Sequence, residues 1–189
     1  FHSRENITPS NPGTKHLDGT LDLTNASSTY SGAMSGAGGL TVSGGTETLT
    51  GSNTYAGMTT ISGGTLQLGD GGTTGSISDS SAIHDNGQLT IDHSNALVMA
   101  QTIDGTGSLT QAGTGRTTLG GVNTYSGGTT ITGGTLVGTT SSFGSGGIVD
   151  NAALEVSQDT SGTLANALSG NGGLCCTISA IGRAATFEG

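Results

Sequence analysis

Charged and aromatic side chains are scarce in this sequence. Only 9% of its residues are charged and 3% are aromatic, whereas roughly 25% are charged in a typical domain. Disordered chains are usually rich in charge and proline, but this chain has 2 prolines. It has 37 glycines, and Thr, Ile, Leu and Val alternate between them, a pattern typical of short strands joined by tight turns. The composition therefore predicts an all-β fold.

Positive charge is the rarest feature. The sequence has 13 Asp and Glu residues and 4 Lys and Arg residues, which gives a formal net charge of −9. Nucleic acid and anionic lipid both bind basic surfaces, so we expect no nucleic-acid partner. No apolar run approaches the roughly 18 residues of a membrane span, so we expect no membrane insertion by this segment. Residues 1–6 lack the apolar core of a signal peptide.

Cysteine is almost absent. The two cysteines, Cys175 and Cys176, are adjacent, and neighbouring cysteines could form only a strained disulfide. The sequence therefore predicts no disulfide framework. No residue of the chain is predicted to be catalytic, cofactor-binding or metal-binding.

One motif occurs twice. Residues 49–66 return as residues 119–136, with most positions identical and no gap. Other segments return after a similar interval, as 85–92 does at 150–157. Such self-similarity at a fixed period is the signature of a repeat architecture.

Each repeat unit contains three strand-turn groups. That division predicts coils of about 22 residues in a parallel β-helix. Alternation places Leu21, Leu89 and Leu154 inward, and the repeat spacing predicts that these three residues share one ladder, with Leu23, Ile91 and Val156 in another. No segment shows helical periodicity. The predicted fold is an all-β, right-handed parallel β-helix of roughly seven to eight coils.

The motif Asn-Thr-Tyr-x-Gly-x-Thr-Thr-Ile-x-Gly-Gly-Thr-Leu, at 53–66 and 123–136, resembles the autotransporter-associated β-strand repeat of Gram-negative passenger regions. The stretch 105–115 also resembles that family's approach to the motif. The resemblance implies a β-helix stalk that is exported through a C-terminal membrane barrel and is displayed or released outside the cell. Position 58 is Met where the repeat usually has Gly, and the third copy of the motif is missing after Leu174.

The chain divides into three parts by composition. We expect a disordered or expression-derived leader over 1–16, a β-helix repeat domain over 17–174, and an atypical tail over 175–189 that is non-native or frayed. The open end of a β-helix exposes strand edges. Self-association through such open ends is therefore expected.

Two groups of residues are candidate metal ligands. His84, Asp85, Asp92 and His93 form the densest cluster in the sequence, but Asp92 and His93 would point to opposite faces of a strand. Polar side chains in solvent are the preferred interpretation, and a zinc site is the alternative. Asp70, Asp79 and Asp104 lie among glycines and suggest either turns or calcium, and the nonapeptide of calcium-binding β-rolls is absent.

Two further activities have candidate residues. A polysaccharide-cleaving β-helix enzyme needs two carboxylates on one face, and the repeat places Asp22 and Glu155 at equivalent positions with Thr90 between them. An ice-binding solenoid needs regular Thr rows, for which Thr59 and Thr129 are candidates. The recurring side chains Asn53, Tyr55, Asn123 and Tyr125 are interpreted as architectural, with each Tyr expected to stack on its counterpart.

The sequence therefore predicts a non-enzymatic, adhesin-type stalk, a fragment of an autotransporter passenger at the cell surface. Its expected partners are ligands on host cells or neighbouring cells, and no cofactor is expected. The alternatives are a carbohydrate-active β-helix enzyme and, third, an ice-binding β-solenoid.

Overall fold

The computed structural model of the chain describes residues 13–24, 26–178 and 185–187. Within these residues every regular element is a β-strand, and all the strand pairs are parallel. Eight strands of the longest sheet follow one another along the axis, so the solenoid has about eight turns. The prediction of an all-β parallel solenoid is confirmed.

Three sheets run along the axis, and neighbouring strands in each belong to successive coils. Sheet I contains β2 (Leu21–Leu23), β5 (Leu40–Val42), β7 (Thr59–Ile61), β9 (Ile83–Asp85) and β12 (Ile103–Asp104). Sheet II contains β3 (Ala26–Tyr30), β6 (Gly45–Leu49), β8 (Thr65–Leu68), β10 (Gln88–Ile91), β13 (Ser108–Gln111), β15 (Thr129–Ile131), β17 (Ile148–Asp150) and β20 (Leu168–Ser169). Sheet III contains β11 (Leu97–Met99), β14 (Arg116–Leu119), β16 (Thr135–Gly138), β18 (Ala153–Gln158) and β21 (Gly173–Ile178).

Two short strand pairs lie at the ends of the solenoid. β1 (Lys15–His16) pairs with β4 (Met34–Ser35), and β19 (Gly162–Leu164) pairs with β22 (Ala185–Phe187). In each of the first coils the chain passes from sheet I to sheet II and then to the side occupied by β1 and β4. From Leu97 onward sheet III follows sheet II in this order.

The coils are shorter than predicted. Leu21 pairs directly with Leu40, and Leu89 pairs directly with Leu109. One coil is longer, since an extra loop follows β8 and Thr59 therefore pairs with Ile83. The predicted coil length divides the repeat unit by three, whereas the unit contains more than three coils.

The interval between the two copies of the motif corresponds to three full coils plus the step from one sheet to the next. Thr59 of the first motif lies in sheet I, whereas Thr129 of the second lies in sheet II. The second copy is therefore rotated by one face around the axis. For the same reason the predicted ladder of Leu21, Leu89 and Leu154 is wrong, because these residues belong to sheets I, II and III.

The core is a single column of apolar side chains along the axis. It extends from Leu17 to Leu164 and includes side chains from all three sheets. In sheet II the inward residue of successive coils changes from Leu66 to Leu89 to Leu109 in direct register. Because each coil buries its apolar residues only against its neighbours, the stack is held together by nearest-neighbour contacts.

The strands extend past both predicted boundaries of the repeat domain. Lys15 and His16 pair with Met34 and Ser35, and β21 continues through residues 175–178 in register with β18. The rest of the predicted leader and of the predicted tail lies largely outside the described residues. The backbone of Gly173–Ile178 pairs residue for residue with that of Ala153–Gln158, so the strand continues past the two cysteines.

Candidate functional site

The asparagines of the two motifs connect three successive coils. Asn53 accepts a hydrogen bond from the backbone N–H of Met34 at 3.0 Å and donates to the carbonyl of Ser76 at 2.9 Å. Asn123 accepts from the N–H of Ile103 at 2.8 Å and donates to the carbonyl of Ser142 at 2.7 Å. Both side chains are buried. Each amide satisfies backbone groups of the coil before and the coil after it.

The tyrosines of the motifs are also buried, and each pairs with a threonine four residues later. The hydroxyl oxygens are 2.7 Å apart in Tyr55 and Thr59 and 2.6 Å apart in Tyr125 and Thr129. Burial raises the pKa of both phenols, that of Tyr125 to about 12. The expected stacking of each Tyr on its counterpart is wrong, because the two copies lie on different sides of the solenoid.

The predicted threonine row is also wrong. Thr59 and Thr129 point inward, are 0% and 2% exposed, and belong to different sheets. Their hydroxyls are used by the tyrosines. The sequence could have predicted this burial. Residues two apart on a strand share a face, so Thr59 faces inward with Ile61, and Thr129 faces inward with Ile131.

The first candidate metal cluster is dispersed. His84 lies outward on sheet I and its Nδ1 contacts Asp104 Oδ1 of the next coil. Asp85 points inward and is fully buried. His93 is buried elsewhere, behind the long loop, where its Nε2 lies 3.3 Å from the carbonyl of Gly75. No group of three His, Cys, Asp or Glu residues that could hold a metal ion occurs among the described residues.

The three aspartates considered for calcium belong to separate elements. Asp70 follows β8, Asp79 precedes β9, and Asp104 ends β12. Asp104 contacts His84, and the Nε2 of that imidazole lies 2.9 Å from the amide nitrogen of Asn86. The structure thus forms an exposed His–Asp pair from two residues that the sequence had assigned to different candidate sites.

The proposed carboxylate pair is not formed. Asp22, Thr90 and Glu155 lie in sheets I, II and III, respectively. Their predicted equivalence fails because the repeat rotates by one face. A recess of about 410 Å³ between two corners of the solenoid is lined by hydroxyl side chains, the amide of Gln158 and one carboxylate, Asp159.

Three carboxylates, those of Glu47, Asp85 and Asp150, are buried in the solenoid, and sequence analysis missed their burial. Glu47 follows the inward register of Leu66, and its Oε2 accepts a hydrogen bond of 2.7 Å from Ser28. Desolvation raises the pKa of Glu47 to about 7 and that of Asp85 to about 6. The alternation about Leu49 would have placed Glu47 inward.

Asp85 and Asp150 build the same corner on different sides of the solenoid. Their Oδ1 atoms accept hydrogen bonds from the backbone N–H of the residue two positions later, at 2.9 and 3.0 Å. Their carbonyls accept from Gly107 and Gly172, both at 2.7 Å. A Cβ on Gly107 would lie 2.4 Å from the Asp85 carboxylate, so the corner requires glycine there.

Arg116 of sheet III forms an ion pair with Glu155, which lies two coils further along the axis. Arg116 donates to both carboxylate oxygens of Glu155, at 2.6 and 2.9 Å. The intervening coil contributes Val137, which points outward but is only 3% exposed. The pair therefore covers an outward valine, and it lowers the pKa of Glu155.

The outward side of sheet II differs from those of the other two sheets, because the outward side chains of its strands are uncharged. One row in direct register comprises Thr29, Thr48, Gln67, Thr90, Thr110, Thr130, Val149 and Ser169. A second row comprises Ser27, Thr46, Thr65, Gln88 and Ser108. Outward positions on sheet I include Asp22, His84 and Asp104, and those on sheet III include Arg116 and Glu155.

Comparison with known proteins identifies the repeated coils. Residues 44–68 and 109–137 match the family model of the passenger-associated-transport-repeat. These segments contain both motifs in full, and the match confirms the resemblance to an autotransporter passenger repeat. No curated protein and no solved structure matches the chain. In the described part of the chain, no helix has the length and apolarity needed to cross a membrane.

Proposed function

We propose that this chain, which carries two copies of the passenger-associated-transport-repeat, is the non-enzymatic, adhesin-type stalk of an autotransporter passenger. It is displayed on, or released from, the surface of a Gram-negative bacterium. The observation that supports this most directly is the solenoid itself, in which both repeats are used to connect coils. The function is mechanical: the stalk holds attached parts of the passenger away from the cell.

The dimensions and contacts of the solenoid suit that role. Eight strands in register at about 4.8 Å per coil give a rod of roughly 34 Å between the first and last strand of sheet II. The core is continuous over this length, and the asparagine amides connect successive coils. A repeated outward surface also allows several weak contacts with a ligand to act together, which raises the overall affinity without a deep binding site.

Surface display tests the stalk. The chain is placed between an export signal and an outer-membrane barrel in a Gram-negative host, with an epitope at its N-terminal end. We expect the epitope to be accessible on intact cells and the solenoid to resist added protease. The Leu109→Asp variant places a charge in the core and should be protease-sensitive, whereas Thr110→Asp, at an outward position of the same strand, should behave as wild type. A protease-sensitive wild-type chain would contradict the stalk.

Adhesion is measured separately on the same cells. Cells that display the chain are expected to bind host-cell layers or one another, and soluble chain should compete with this binding. Display without any gain in adhesion would contradict the adhesin role and leave the stalk intact.

A further inference from the structure

The outward face of sheet II is a regular array of hydroxyl and methyl groups. Its first row continues through eight coils, and six of the eight side chains carry a hydroxyl group. The second row adds hydroxyls at Ser27, Thr46, Thr65 and Ser108. Because every pairing is in direct register, the side chains repeat at about 4.8 Å along the axis and about 6.7 Å across the strand.

The two glutamines in this array are held against the protein. Gln67 donates to the carbonyl of Gly69 at 2.9 Å, and Gln88 donates to the hydroxyl of Thr110 at 3.1 Å. Val149 contributes methyl groups where the row lacks a hydroxyl. From Thr48 to Thr130, the residues of the first row are half-exposed, since neighbouring side chains cover one another. The hydroxyl and methyl groups of this face therefore lie at regularly repeated positions along the axis.

The chemistry of the face limits what it can bind. The two rows carry no charge, so ionic ligands have no counter-charge there. The two rows contain no aromatic residue, and Tyr30, Tyr55, Tyr125 and Phe143 are buried, so the face offers no ring on which a sugar could stack. Two rows over about 34 Å also give an area well below the roughly 800 Å² per partner of a stable protein interface. A second copy of the chain is therefore poorly matched to this face.

A surface of ordered water fits the array better. Threonine offers a hydroxyl that hydrogen-bonds water and a methyl group beside it. Ordered water molecules that are fixed by several such groups cost little free energy. Charged side chains would hold their own hydration water strongly, and this face has none in its rows. A lattice of water with two-dimensional order is complementary to groups that repeat in two directions.

We propose that the outward face of sheet II binds ice, through the hydroxyl and methyl groups of its two rows. The proposal does not depend on the stalk function and differs from the threonine row expected from the sequence, since Thr59 and Thr129 are buried. The centre of the site is Thr90 and Thr110, on adjacent strands.

Ice growth in the presence of the purified chain tests the proposal. We expect thermal hysteresis and slowed ice recrystallisation, together with loss of both in Thr90→Lys, since a lysine in the centre places a hydrated charge and a longer side chain on the array. Thr60→Lys is the matched control, because Thr60 is a half-exposed, outward residue of sheet I. It should retain the wild-type effect. Circular dichroism confirms that each variant is folded, and Thr110→Lys replaces Thr90→Lys if the latter unfolds.

Absence of both effects for the wild-type chain would overturn the proposal. Equal loss in Thr60→Lys and Thr90→Lys would also overturn it, because the effect would not belong to sheet II. Binding of a neutral polysaccharide, or association of two copies detected by sedimentation, would identify another occupant if ice growth is unaffected. Neither result bears on whether the chain is a surface stalk.

Discussion

Thr59 and Thr129 occupy the same position of the repeated motif but lie in different sheets, each with its hydroxyl against a buried tyrosine. The two copies of the motif therefore make the same local contacts, but the second copy is rotated by one face around the solenoid axis. The same side-chain contacts can be built on any side of the solenoid, because each side offers a strand of the previous coil and a strand of the next. Predictions about stability follow from these contacts.

Replacement of a motif asparagine should destabilise the solenoid. Asn53→Ala removes hydrogen bonds to two neighbouring coils and leaves the N–H of Met34 without its partner, so we expect a loss of about 3 kcal/mol in the free energy of unfolding. Urea denaturation followed by circular dichroism measures it. Asn171→Ala is the control, since Asn171 is exposed, and a loss of equal size there would contradict a special role for Asn53.

Stability should fall as the pH rises from about 4.5 to about 7. Burial raises the pKa of Glu47 from 4.5 to about 7, so the folded state binds this proton more tightly than the unfolded state. The stabilisation is present below pH 4.5 and is lost as the pH rises through 7, by at most about 3 kcal/mol. Asp85, with its pKa raised to about 6, acts in the same direction.

Glu47→Gln isolates the contribution of that carboxylate. Thermal unfolding of the variant should depend less on pH between 4.5 and 7, and the variant should be more stable than wild type at pH 8. Asp159→Asn serves as the control, because Asp159 is exposed. An unchanged pH profile in Glu47→Gln would show that the carboxylate is solvated in the folded protein.

The ion pair on sheet III should contribute little, and salt should weaken its contribution. A double-mutant cycle with Arg116→Ala and Glu155→Gln is expected to give a coupling energy of about 0.5–1 kcal/mol, because exposed pairs are screened by solvent. Arg116→Ala alone should also expose Val137. Fluorescent probe binding to apolar surface can detect that exposure, and no increase would mean that other side chains cover this valine.

A methyl group at Gly107 should not be tolerated. Gly107→Ala would place Cβ against the Asp85 carboxylate, and overpacking of this kind costs roughly 1–3 kcal/mol. Gly120→Ala is the matched control, because the nearest atom to its added Cβ would be 3.5 Å away. Melting temperatures compare the two, and equal values would show that the Asp85 corner can shift.

Strand type and facing could be predicted from sequence, because alternation is a local property. The inward direction of Leu21, Leu89 and Leu154 is correct. The same alternation applied to Glu47 and Thr59 would have placed both inside. They were missed because a polar side chain was assumed to face solvent.

Register could not be predicted, because it depends on the number of residues in each coil. His84 and Asp104 lie side by side on adjacent strands. If the coil length is predicted wrongly by a few residues, the predicted register no longer pairs them. It also hides the uncharged rows of sheet II, since Thr90 and Thr110 appear unrelated in the sequence unless the coil length is known. The extra loop before β9 adds a further irregularity.

Disulfide cross-linking measures the register directly. In a background with Cys175→Ser and Cys176→Ser, cysteines are introduced at Thr90 and Thr110, or at Thr90 and Ala112. Because Thr90 pairs directly with Thr110, the two positions are neighbours at about 4.8 Å, within the range that a disulfide bridges. We expect rapid cross-linking of the 90–110 pair and little of the 90–112 pair. Preferred cross-linking of 90 with 112 would indicate the longer coil predicted from the sequence, and it would contradict both the rotated repeat and the array on sheet II.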